Sequence, residues 1–174
     1  MRTKNASAIA AVGGIVWRIA KRNDAPVLQV LLGRRAKDPD KDRYTLCFGG
    51  EVALAEGSMG IMRELHRKLR EETGAELHLT REAFLGAYGP RDFRRKPILS
   101  KNGKLLDWKQ TREVVKSSTM ITVFSVHWAG GEPLDNKAVK DLMFVDAFQA
   151  ANLWEELAFD QGHMLIDLAR AVHK

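Results

Sequence analysis

An α/β sandwich, in which a mixed β-sheet lies between helices, is the fold class this sequence predicts. Three observations lead there. Strand-like runs rich in β-branched and aromatic residues alternate with a few helical stretches along the chain. Glycines and charged clusters punctuate those runs at turn-like spacing. Hydrophobic residues make up 45% and charged residues 29%, a mixture able to fill a core and unlike that of a disordered chain. With 174 residues, a single domain over positions 1–174 is expected.

Ala8 to Ile19 and Val27 to Gly33 read as the two strands of an antiparallel hairpin, turning at Lys21-Arg22-Asn23-Asp24. The apolar run from Ala6 to Trp17, with Arg2 and Lys4 before it, has the outline of a signal peptide. It lacks a small-residue cleavage site and is too short to cross a bilayer, so it reads as the opening strand. A charged loop spans Arg34 to Arg43. The short strand from Tyr44 to Phe48 then runs into Gly49-Gly50, where the missing side chains let a ligand approach or the chain turn sharply. A helix is predicted from Ser58 or Gly60 to Thr73, because Met62, Leu65 and Leu69 recur at helical spacing and Gly74 supplies a stop.

Leu77 to Tyr88 is the next strand. From Arg91 to Lys116 the chain reads as a long loop with a small hairpin turning at Asn102-Gly103. Thr119 to Trp128 alternates bulky and small side chains, as a strand does, and Gly130-Gly131 closes it. Met143 to Val145 is a short strand, and Ala147 to Leu157 a helical turn or two. Asp160 is the expected cap of a final helix whose buried stripe is Met164, Leu165, Leu168 and Val172.

A lone cysteine, Cys47, excludes an internal disulfide and a zinc ribbon and points to a reducing, cytoplasmic compartment. No apolar run is long enough to span a membrane. The formal charge of +6 lies entirely between Arg91 and Lys116, where nine basic residues face three acidic ones. Such a field attracts phosphate, on a small nucleotide or on RNA. A solvated loop is the plainer alternative.

The stretch Gly49 to Glu56 leads into a helix ending Arg67-Lys68-Leu69-Arg70-Glu71-Glu72-Thr73-Gly74-Ala75. Together they resemble the Nudix box, Gly-x5-Glu-x7-Arg-Glu-U-x-Glu-Glu-x-Gly-U with U aliphatic: Gly50 and Glu56 match its first part, Arg67 and Glu71-Glu72-x-Gly74 its second. Two departures stand out. Three residues are inserted between Glu56 and Arg67, and Lys68 stands where the box has glutamate. An earlier triplet, Arg63-Glu64-Leu65, repeats Arg-Glu-aliphatic one helical turn before. The N-terminal hairpin, the strand from Thr119 and the closing run from Leu157 to His163 are also similar to Nudix domains of the ADP-ribose pyrophosphatase type.

The resemblance implies a Nudix-type α/β/α sandwich that hydrolyses the pyrophosphate bond of nucleoside diphosphate derivatives, ADP-ribose among them, with Mg²⁺ or Mn²⁺. Glu71 and Glu72 would hold the metal, a backbone carbonyl near Gly50 would complete its coordination, and Arg67 would orient Glu71. Glutamate-depleted members, such as a pre-mRNA cleavage-factor subunit, imply the alternative: a non-catalytic module that binds nucleotide or RNA. Domains of the ADP-ribose type are often homodimers.

At 100° per residue, Glu64, Lys68, Glu71 and Glu72 share a helix face about 100° wide, beside the sector of Met62, Leu65 and Leu69. Carboxylates clustered so can bind a divalent cation bridging diphosphate oxygens. Lys68, one turn from Glu64 and from Glu72, is expected to sit among them and compete with the metal. The alternative is a surface helix laced by Glu64–Lys68, Arg67–Glu71 and Lys68–Glu72 pairs. Arg91, Arg94 and Arg95 around Phe93, with Trp108 nearby, are candidates to clamp phosphate and stack a base, or else to pack. Glu113, Glu132 and Asp141 are the available acids for a further ligand or general base. His127 and His163 lack metal-ligand spacing and Cys47 lacks a nucleophile's partners, so all three read as packing residues.

Overall fold

The computed structural model describes residues 9–37, 40–52, 57–74, 78–89, 95–99, 105–110 and 119–172. Strands β1 (Ile9–Arg22) and β2 (Ala25–Arg35) form the N-terminal hairpin. Its turn is Asn23-Asp24, with φ of 50° and 62°, the left-handed pair that a two-residue hairpin requires. The chain continues through β3 (Tyr44–Thr45), β4 (Phe48–Glu51), helix α1 (Gly57–Thr73) and β5 (His78–Tyr88). Next come β6 (Arg95–Leu99), β7 (Leu105–Gln110), β8 (Thr119–Gly130) and β9 (Val139–Asp146), then α2 (Ala147–Asn152) and α3 (Gly162–Val172).

Seven strands make one mixed sheet along the path β3-β2-β1-β8-β5, with β4 paired to β1 and β9 to β2. The β1–β8 pairing is parallel and the others are antiparallel. Both faces of the sheet are apolar. Val12, Val16, Leu31, Phe48 and Val126 pack with Leu65 and Leu69 of α1. Ile15, Val30, Leu32 and Val123 pack on the opposite side with Met164, Leu165 and Leu168 of α3. Successive residues Val30, Leu31 and Leu32 therefore enter different cores, the period of two that a doubly covered strand needs. Each buried aliphatic contributes about 1.5–3 kcal/mol relative to exposure. The result is the predicted α/β/α sandwich. Among the described residues no helix is long and apolar enough to cross a membrane.

Three elements differ from the expectation. Gly49 and Gly50 do not form a loop after a strand; they belong to β4, opposite Gly13 and Val12 of β1. Strand β9 begins at Val139, four residues before the expected Met143, because buried Val139 continues the β2 ladder although exposed Lys140 and Asp141 interrupt its apolar pattern. The small hairpin expected in the basic segment is present as the antiparallel β6–β7 pair, a separate two-stranded sheet; its expected turn at Asn102-Gly103 lies outside the described residues. Asp160 ends a 3₁₀ turn, Ala158–Asp160, and α3 starts two residues later at Gly162. Gln161, between them, is buried. Its Oε1 accepts the backbone N–H groups of Leu46 at 2.8 Å and Cys47 at 3.2 Å, so the chain entering β4 is tied to the start of α3.

Candidate active site

Strand β4 runs unusually close to β1. A Cβ on Gly49 would stand 2.0 Å from the Val12 carbonyl oxygen and 2.6 Å from Gly13 Cα, so this approach needs glycine. It lets the Gly49 N–H turn to α1, where it donates to Glu72 Oε2 at 2.8 Å. The helix end is fixed from its other side. Gly74, at φ 103°, terminates it; Leu134 N–H donates to the Thr73 carbonyl at 3.1 Å, and Asn136 Nδ2 to the Glu72 carbonyl at 2.9 Å. With Leu65 and Leu69 buried, the rotation of α1 is set: Glu72 faces the end of β4 and its neighbour Glu71 is exposed.

Glu72 is half-buried. Burial pushes its carboxyl above the usual carboxylate range, opposed by the Gly49 N–H and by the charges of Lys68 and Arg35. Burial likewise lowers the pKa of Arg35, against the pull of Glu72 and Asp40, and its guanidinium lies 4.8 Å from the centre of the Phe159 ring. Lys68 reaches over the strand: a Cβ on Gly50 would meet its Cε at 2.8 Å and its Nζ at 3.0 Å. The amine thus occupies the space that the missing Gly50 side chain leaves.

Arg67 faces outward and joins two carboxylates. Its Nε donates to Glu64 Oε2 at 2.9 Å, and its remaining guanidinium nitrogens pair with Glu64 and Glu71. The hydrogen bond from Arg67 holds Glu64 below the usual range. Arg67 in turn is pushed up, chiefly by its bond to Glu64. Two hollows meet at Glu71. One, of about 250 Å³, is lined by Arg35, Lys37, Thr45, Cys47, Lys68, Glu71, Glu72, Ala138 and Val139. The other, of about 660 Å³, is lined by Met62, Arg63, His66, Arg67, Arg70 and Glu71.

The structure therefore gathers Gly50, Arg67, Glu71 and Glu72, as the sequence pattern suggests, at the junction of β4 and α1. Among the described residues no group of three or more His, Cys, Asp or Glu side chains is arranged to hold a metal ion. Glu56, Arg91, Phe93, Arg94 and Glu113 lie outside the described residues, and Arg95 opens β6 opposite Gln110. Of the other acids, Glu132 is exposed between β8 and β9, and Asp141 pairs with Arg34 at 3.6 Å. His127 packs edge-on against Trp17 and His163 against Trp154. Cys47 is buried, which pushes its thiol pKa up and suits a core residue. Sequence reasoning missed Arg35 and Lys37 as cavity residues. Their signal is the charge run directly after a buried strand, which turns cations back over the sheet end.

No protein-family model and no curated protein matches the sequence. Solved structures do match. The Nudix domain of Shewanella oneidensis NrtR, in complex with ADP ribose, is 15% identical, with a TM-score of 0.63 over 95% of this chain and 89% of that one. A mutT/nudix family protein from Listeria innocua is 19% identical, with a TM-score of 0.60 over 99% and 96%. A UDP-X diphosphatase is 16% identical, with a TM-score of 0.58 over 99% of this chain and 67% of the other. At such identities the likeness is one of architecture, and with the sheet order, the two helical layers and the β4–α1 junction in hand, this chain has the Nudix fold.

Proposed function

We propose that the protein hydrolyses the pyrophosphate bond of a nucleoside diphosphate derivative, with Mg²⁺ or Mn²⁺ carried at Glu71 and Glu72. The observation that carries this reading is the Gly49 N–H bond to Glu72 beside a cavity that Glu71 also lines. The fold likeness to a domain captured with ADP ribose and to a UDP-X diphosphatase supports the substrate class. The donor chemistry fits the ion: Mg²⁺ commonly takes one or two protein carboxylates and completes its shell with water and substrate phosphates. Here those would be Glu71 and Glu72, with a backbone carbonyl near Gly50 as a further donor. When bound, the cation supplies charge neutralisation at the diphosphate and acidifies the attacking water.

The chain's own groups do the positioning. Arg67 restrains Glu71, and the Gly49 N–H restrains Glu72. Beyond the diphosphate, the ligand follows the larger hollow, where Arg63, His66 and Arg70 lie. Arg91, Arg94 and Arg95, with Phe93, are the proposed contacts of the basic segment. The test is a panel of nucleoside diphosphate derivatives, assayed with a coupling phosphatase for cation-dependent phosphate release. Turnover of at least one member is expected; turnover of none would overturn the reading.

A second reading, a module that binds nucleotide or RNA without turnover, is favoured by Lys68 lying on Gly50 where the box pattern has glutamate. Lys68→Glu removes that cation and adds an acid beside Glu72. Mn²⁺ affinity should rise at least ~10-fold, about 1.4 kcal/mol, in isothermal titration. Equal or weaker binding by the variant would mean that Lys68 does not limit the metal.

A further inference from the structure

We propose that Lys68, with Arg35 and Lys37, forms a cationic seat that binds the diphosphate of the ligand directly, before and without a divalent cation. The inference rests on the reading that this cavity takes a diphosphate and deepens it by assigning what holds that group.

The smaller hollow is lined by three cations and two carboxylates. The two acids are not equal to the task of drawing in a bare metal ion. Glu71 is already paired with Arg67, whose other partner is Glu64, and Glu72 accepts a backbone N–H and feels both Lys68 and Arg35. A divalent cation entering alone therefore meets a positive field, whereas a diphosphate brings the complementary charge. Lys68 is suited to receive it. Its stem lies along the glycine strand and its amine rests over Gly50, at the recess that only a glycine leaves open. An ammonium there is a point charge with three donors and a flexible stem, able to follow a phosphate without bidentate geometry. Arg35 is held more rigidly, its guanidinium over Phe159.

The order of events follows. The diphosphate enters first and cancels the charge of Lys68 and Arg35, and only then do Glu71 and Glu72 present a net negative face to a cation. Ligand binding and cation binding are thus separable, with the cation needed for turnover alone.

Titration of inorganic pyrophosphate into the protein in EDTA tests this by calorimetry. Binding without any divalent cation is expected, weakened at least ~10-fold by Lys68→Met and largely restored by Lys68→Arg. Lys21, in the far hairpin, serves as the control, and Lys21→Met should leave the affinity unchanged. Binding seen only with Mg²⁺, or an equal affinity in Lys68→Met, or an equal loss in Lys21→Met, would overturn the proposal. The two readings fail separately. Pyrophosphate binding in EDTA with no turnover across the substrate panel would leave the seat standing and remove the hydrolase, and cation-dependent turnover with no binding in EDTA would do the reverse.

Discussion

Replacing Glu71 and Glu72 together by glutamine should lower cation-dependent turnover by on the order of 10³-fold while leaving the protein folded. The variant keeps the shape of both side chains and removes two charges. The amide that Glu72→Gln introduces still has a carbonyl oxygen to accept the Gly49 N–H, which Glu72 Oε2 accepts at 2.8 Å, so the β4–α1 junction survives. Stability should not fall at neutral pH. Because the folded pKa of Glu72 is raised, its contribution to stability is fully present below the unfolded carboxylate pKa and is lost as pH rises through the folded value. Above the unfolded carboxylate pKa the wild type therefore carries a desolvation penalty that the glutamine lacks. Turnover measured beside thermal melting separates these effects. Retained turnover in a folded double variant would remove both carboxylates from the mechanism.

Gly49→Ala is expected to cost roughly 3 kcal/mol or more of stability, read as a lower urea midpoint. The reason is what surrounds the new methyl group. It would lie 2.0 Å from the Val12 carbonyl oxygen and 2.6 Å from Gly13 Cα, both backbone atoms of a central strand that cannot step aside. Gly50→Ala is the contrasting case. Its methyl would meet only the flexible end of Lys68, at 2.8 and 3.0 Å, so the lysine would move and the fold would persist. Equal stability losses at the two positions would contradict this account of the strand.

Much of the scaffold was legible because it follows from periodicity. Leu65 and Leu69 are buried as the helical spacing of α1 requires, and Gly74 ends that helix in a left-handed conformation. What periodicity could not reach was contact between segments far apart in sequence. A four-residue strand with two glycines has no alternating pattern, so β4 read as a loop. The tie between Gly49 and Glu72 spans 23 residues and leaves no local trace. For Lys68, projection on a helical wheel identified the correct face but not the rotamer. It suggested a lysine between Glu64 and Glu72, and its charge does act on both, but Glu64 is bonded to Arg67 and the amine lies over Gly50. Likewise Arg35 and Lys37 read as part of a charged loop: the run of charge at the end of β2 marks them, but it does not say that they share a cavity with Lys68, Glu71 and Glu72 of α1.

The hydrogen bond from Gly49 to Glu72 gives the protein a built-in gauge of its own site. A backbone amide, which every residue but proline possesses and which no mutation of a side chain removes, points at Glu72, one of the two carboxylates proposed to carry the cation. Whatever draws electron density from that carboxylate weakens the bond and is written into the amide's chemical shift and exchange rate. A single resolved glycine resonance would then report on the occupancy of the cavity without any label being introduced into it.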